Sequence, residues 1–166
     1  KSRVQRYRFF EDPFDGGKDG RFGLERSLNG LAGGFKAAAH NFGPERRVLL
    51  LHGPVGSAKS TIVRLLKKGM EHYSSTDEGA LYTFSWVIDG EEYPSPMNEE
   101  PLLLLPDGAR QKVLESLNAN LRSTYRLRLD LDLSPVSRFY QEQLLKRHDG
   151  DHGKVLEHVK VRRMVI

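Results

Sequence analysis

An α/β fold is what the sequence predicts, on three observations. An apolar run, Val48-Leu49-Leu50-Leu51, stops at a glycine-rich turn that ends in Lys59-Ser60. An apolar helical face follows directly, formed by Ile62, Val63, Leu65, Leu66, Gly69 and Met70, with Arg64, Lys67 and Lys68 turned away. Beyond it comes a strand-rich excursion, opened by a run of Tyr, Thr, Phe, Trp and Val at residues 80–88.

Strand, glycine turn and helix in that order make a nucleotide-phosphate cradle, the core of a P-loop NTPase. Residues 47–51 read as the short buried strand that delivers the turn. The binding residues are Gly53, Pro54, Val55, Gly56, Ser57, Ala58, Lys59, Ser60 and Thr61. Gly53 and Gly56 allow unusual dihedrals and close approach, so that successive backbone N–H groups converge on phosphate oxygens. Lys59 supplies a point charge to the β- and γ-phosphates of ATP. The Ser60 hydroxyl is the Mg²⁺ ligand, and the helix that starts there turns its positive end to the anion. Ala58 departs from the G-x-x-x-x-G-K-[ST] pattern, in which that position is glycine. Alanine adds one methyl, and the cradle is expected to survive it.

Upstream, residues 9–20 form a turn-rich lead-in, and residues 22–41 a helix with Leu24, Leu28, Leu31, Phe35 and Ala38 at three-to-four spacing, weakened by Gly30, Gly33 and Gly34. Downstream, the strand at residues 80–88 meets Asp89-Gly90, a hairpin turn into Glu91-Glu92-Tyr93. Four prolines, 94, 96, 101 and 106, keep the next stretch irregular or at a sheet edge. Asp107 caps a helix to about Asn120, with Val113, Leu114, Leu117 and Leu121 inward. Residues 125–133 alternate leucine with charge, the pattern of a half-buried strand. Ser134-Pro135 is a cap and first helical position for a helix through about Arg147. Asp149-Gly150-Asp151 breaks it, residues 153–158 form a short helix, and a final strand follows.

At 166 residues the chain fits one domain with a real core. It contains no apolar run near the length of a membrane span and no signal-peptide pattern, so the expectation is a chain that neither spans a membrane nor is exported, with no membrane partner. Cysteine is absent, which removes disulfides and thiolate metal sites and fits a reducing cytoplasm. The surplus of 26 basic over 22 acidic residues is dispersed, which argues for a solvated surface and against nucleic acid as a partner.

No hydrolytic carboxylate stands out. Trp86-Val87-Ile88-Asp89 is the nearest string to one, but its Asp-Gly is what a hairpin requires, and Asp130 and Asp132 occupy the polar side of an alternating segment. The catalytic residue therefore stays unassigned. His148-Asp149-Gly150-Asp151-His152 has a metal tract's composition, yet reads better as a helix stop followed by a helix start. His52, ending the apolar run, reads as packed or hydrogen-bonded, and Arg162 and Arg163 fit phosphate contacts or a solvated strand edge equally well. The eukaryotic-type kinase signatures are absent.

Several stretches together resemble the AAA domain of the PrkA family of bacterial serine protein kinases. They are Phe22-Gly23-Leu24-Glu25, the glycine turn with its helix, residues 78–86, Ser95-Pro96-Met97-Asn98-Glu99-Glu100-Pro101-Leu102, and residues 149–163. The similarity covers nearly the whole chain, and the last two stretches are the specific ones. It implies an AAA+-type ATP-binding domain over residues 1–166, cytoplasmic, using ATP and Mg²⁺, incomplete at its C-terminal end and followed by a kinase-like segment. The activity it implies is ATP-dependent serine phosphorylation, with a protease-like role as an alternative and a nucleotide-sensing module without turnover as another. A homo-oligomer stays open by analogy with ring-forming ATPases.

One departure from the family is informative. Where many members carry Cys-Pro-x-His and Cys-Pro-x-Cys, a plausible zinc knuckle by spacing, this chain has Ser95-Pro96-Met97-Asn98 and Ser134-Pro135-Val136-Ser137. The expectation is no zinc site, with the two turns brought together and held by hydrogen bonds.

Overall fold

The computed structural model describes residues 5–121 and 126–166; Tyr125, the first residue of the predicted alternating strand, lies outside them. The chain forms two compact units, one of residues 1–78 with Ile166 and one of residues 79–165.

The first unit is built on two helices, α1 (Glu25–Ala39) and α2 (Lys59–Ser75), with short 3-10 turns at Arg8–Glu11 and Pro44–Arg46. Its core is small. Phe10, Leu28, Ile62 and Leu65 are buried, and Tyr7, Phe9, Leu24, Leu31, Leu51 and Leu66 pack around them. Phe9 lies so close to α2 that a Cβ on Gly69 would stand 2.3 Å from its ring, so any larger residue there would force the Phe9 ring to shift. The lead-in turns are fixed by charge. Lys68 reaches Asp12, Asp15 and Asp19 at 3.3, 3.1 and 2.9 Å, and Arg64 holds Asp19 through two nitrogens. Lys68 thus faces inward to three carboxylates, whereas the helical pattern placed it outward; the partners come from a loop some fifty residues away, which periodicity does not report. Val63 and Met70 are exposed rather than part of the inward face.

In the second unit β1 (Leu81–Ile88) is central, flanked antiparallel by β2 (Glu91–Pro94) and β3 (Val159–Met164). The β1–β2 register runs Ser85↔Pro94 to Ile88↔Glu91, and β1 meets β3 from Leu81↔Met164 to Trp86↔Val159. Asp89 and Gly90 both take positive φ, 52° and 87°, as a two-residue hairpin turn with strand-matching twist demands. Helices α3 (Asp107–Asn120), α4 (Pro135–Arg147) and α5 (His152–Leu156) complete it, with a 3-10 turn at Pro101–Leu104. Phe84 and Trp86, edge to face at 5.5 Å, centre a core that takes in Leu103, Leu104, Leu133, Leu144 and Val155.

Two predicted strands do not form. Residues 47–51 pair with nothing among the described residues, and Val48 and Leu50 are 94% and 82% exposed. An apolar run becomes a strand only beside a neighbour that completes its ladder, and none is supplied here. Residues 126–133 likewise join no sheet; Leu133 is buried and Leu129 packs on the core, but Leu127 and Leu131 face solvent. In α3 Asp107 is the first helical residue rather than the cap, its carboxylate taken by Arg110, and Leu117, with Leu121 just beyond the helix, is exposed rather than inward.

Candidate functional site

The glycine-rich turn and the start of α2 border a cleft of about 620 Å³, lined by Gly56, Ser57, Ala58, Lys59, Ser60 and Thr61 together with Arg21, Phe22 and Leu24. The turn is shaped for close packing. A Cβ on Gly53 would lie 2.8 Å from Ser57 Oγ, and Gly56 and Ala58 both take positive φ, 82° and 61°. Ala58 therefore holds the left-handed conformation that the pattern's glycine would hold without strain, and it keeps the turn's path intact. It also serves as the N-cap of α2 with no side chain to offer. Among the described residues, the N–H groups of Ala58, Lys59, Ser60 and Thr61 donate to no acceptor.

Lys59 Nζ donates to Gly53 O at 2.7 Å, Pro54 O at 2.6 Å and Ser57 Oγ at 3.0 Å. All three partners are neutral groups of the turn itself, and no Asp or Glu lines the cleft. Its positive charge is thus positioned but not neutralised. Pro54 and Val55 are exposed and, like Gly53, do not line the cleft. Residues 53–61, singled out from the sequence, are brought together as one loop and helix start.

Arg21 is the residue that sequence reasoning missed. Its guanidinium donates to Thr61 Oγ1 at 3.0 Å and to Gly20 O at 3.3 Å, while its Nε is buried without a partner. A second cation therefore stands at the same helix start. It sits forty positions before Thr61, so no local pattern could have announced it.

The other candidates resolve differently. Asp89 occupies the hairpin turn and pairs with Arg147 at 3.2 Å, as its Asp-Gly context required. Asp130 and Asp132 are exposed. His52 is exposed too, contrary to the expectation of a packed or bonded ring. Asp151 caps α5, accepting from the N–H groups of Gly153 and Lys154, and His148 ends α4, so the His-Asp tract is a helix stop and start. His148 Nε2 meets His158 Nε2 at 2.9 Å, and no cluster of three or more metal-ligating side chains exists among the described residues.

The two serine turns do converge, on Glu99. Its Oε2 accepts the hydroxyls of Ser95 at 2.6 Å, Ser134 at 3.2 Å and Ser137, and its Oε1 accepts the Ser134 N–H. The Glu99 N–H returns a bond to Ser95 Oγ at 3.0 Å. Asn98, the fourth position of the pattern, is exposed at φ 49° and takes no part. Burial pushes the Glu99 carboxyl up, but its four donors outweigh that and hold it below the usual glutamate value.

The chain is 38% identical over 144 residues to the ATP-dependent protease PrkA of Bacillus subtilis (strain 168), a match covering 86% of this chain and 19% of that protein. The chain thus spans about a fifth of the length of that relative. No solved structure matches. No helix among the described residues is long and apolar enough to cross a membrane. The family model described as the PrkA AAA domain matches residues 1–165, and the chain belongs to that family.

Proposed function

We infer that this chain is an ATP-binding domain, with residues 53–61 as the triphosphate cradle. The observation that carries the reading is Lys59, an ammonium without a carboxylate partner, poised over the turn beside free helix-start amides in a cleft open to solvent. Lys59 would hold the β- and γ-phosphates, and the amides of residues 56–61 the remaining phosphate oxygens. Arg21 adds positive charge beside Thr61. Ser60, exposed at the helix start, would hold Mg²⁺ bound with the nucleotide, which supplies charge neutralisation at the phosphates. An exposed Phe22 and a half-buried Leu24 give the same cleft an apolar wall.

The B. subtilis relative is a longer protein and is named an ATP-dependent protease. Serine phosphoryl transfer and ATP-dependent proteolysis are the two activities to separate. On a protein of that full length, transfer of labelled γ-phosphate to serine supports the first, and ATP-dependent peptide release supports the second. ATP binding with neither activity and no phosphate release supports a nucleotide-sensing module. Absence of ATP binding removes the reading altogether.

A further inference from the structure

Residues 126–133 read Arg-Leu-Arg-Leu-Asp-Leu-Asp-Leu, a segment whose charges invert about its centre. It runs along α3, beside an open cleft of about 450 Å³ that Arg110, Gln111 and Leu114 line from the helix. One edge of the segment is already occupied. The Asn118 side chain accepts from the Leu127 N–H at 2.7 Å and donates to Leu127 O at 2.9 Å, as a neighbouring strand would. Among the described residues nothing bonds the backbone of residues 128–133. Arg128, Asp130 and Asp132 form no ion pair there, and Arg126 donates only to Asn118 O. Leu127 and Leu131 are 47% and 66% exposed.

We propose that this segment is a self-recognition strand, which pairs antiparallel with the same segment of a second copy of the chain about a two-fold axis at Leu129. In that register Arg128 faces Asp130 of the second copy and Arg126 faces its Asp132, so each of the four charges gains an opposite partner. Leu127 meets Leu131 on the other face, and the exposed leucines cover each other. The backbone agrees with this pairing. Strand residues present their N–H and C=O alternately to the two edges, so Asn118 on Leu127 leaves the even-numbered residues free, and those form the hydrogen-bonded pairs in this register. A parallel pairing in register would set Arg against Arg and Asp against Asp, so the charges select the two-fold arrangement. A ribbon of this length is a small interface, and the dimer is a concentration-dependent one.

The test is sedimentation of the chain over a concentration series, with two charge variants. Arg126→Asp/Arg128→Asp makes every charge in the segment negative, and Asp130→Arg/Asp132→Arg makes every one positive. All four residues are exposed, so folding tolerates both changes, which the circular dichroism spectrum verifies. The unmodified chain self-associates, each double variant does so at least about tenfold more weakly, and an equimolar mixture of the two recovers a heterodimer. A chain that stays monomeric throughout overturns the proposal. So does association that both variants retain, or a mixture that fails to recover. Nucleotide binding plays no part in this readout.

Discussion

Ser137 donates its hydroxyl to Glu99 Oε2 across thirty-eight residues of chain, and both residues are buried, Ser137 fully and Glu99 with 8% exposure. With Ser95 and Ser134 on the same carboxylate, one acid ties the turn after β2 to the start of α4.

Glu99→Ala removes the acceptor and leaves three hydroxyls and an N–H without a partner in a buried space. The expected loss is about 3 kcal/mol of stability. Trp86, the sole tryptophan, is buried in the same unit's core, so urea unfolding followed by its fluorescence reads that unit directly. A loss below about 0.5 kcal/mol would mean that the serines find other acceptors. Because the Glu99 carboxyl is held below its usual value, its contribution is complete above that value and disappears as pH falls through the lowered one. Metal analysis of the protein should return well under one zinc per chain.

Asp19 gives the first unit an acid limit of its own. The bonds from Arg64 and then Lys68 depress its carboxyl from 3.8 to about 2. The stabilisation is fully present above pH 3.8 and is lost as pH falls through about 2. Hydrogen exchange at the Leu65 amide in α2 should accelerate across that window, and Asp19→Asn should produce faster exchange already at neutral pH. An Asn variant indistinguishable from the parent at pH 7 would show that the carboxylate cluster does not hold the lead-in turns.

Ala58 holds a left-handed backbone at φ 61°. Returning glycine at this position, Ala58→Gly, relieves about 1 kcal/mol of strain. The melting temperature should rise and Mg·ATP affinity should be kept or improved. A fall in both would show that the alanine methyl makes a contact that the cradle needs.

How far the sequence was readable follows how local each cause is. The Asp89-Gly90 hairpin, the Ser134-Pro135 start of α4 and the final strand all rest on neighbouring residues, and each appears where the pattern placed it. The helix after the glycine turn was equally plain, since Ile62 and Leu65 recur at helical spacing. Residues 47–51 and 126–133 carried strand patterns that no ladder completes, because alternation or apolarity states a readiness to pair and not the presence of a partner. Lys68 with its three aspartates, Arg21 with Thr61, and Glu99 at the centre of the serine turns depend on contacts between distant residues. The convergence of the serine turns was expected, but its acceptor was not: Glu99 sits one residue past the pattern that drew attention to Asn98.

Titration calorimetry with Mg·ATP on the parent chain and on Lys59→Ala tests the central claim most directly. The account predicts that the parent binds, and that the variant loses affinity by at least about a hundredfold, the loss of a charge-assisted phosphate contact, with its circular dichroism unchanged. Equal affinity in the two proteins would contradict it.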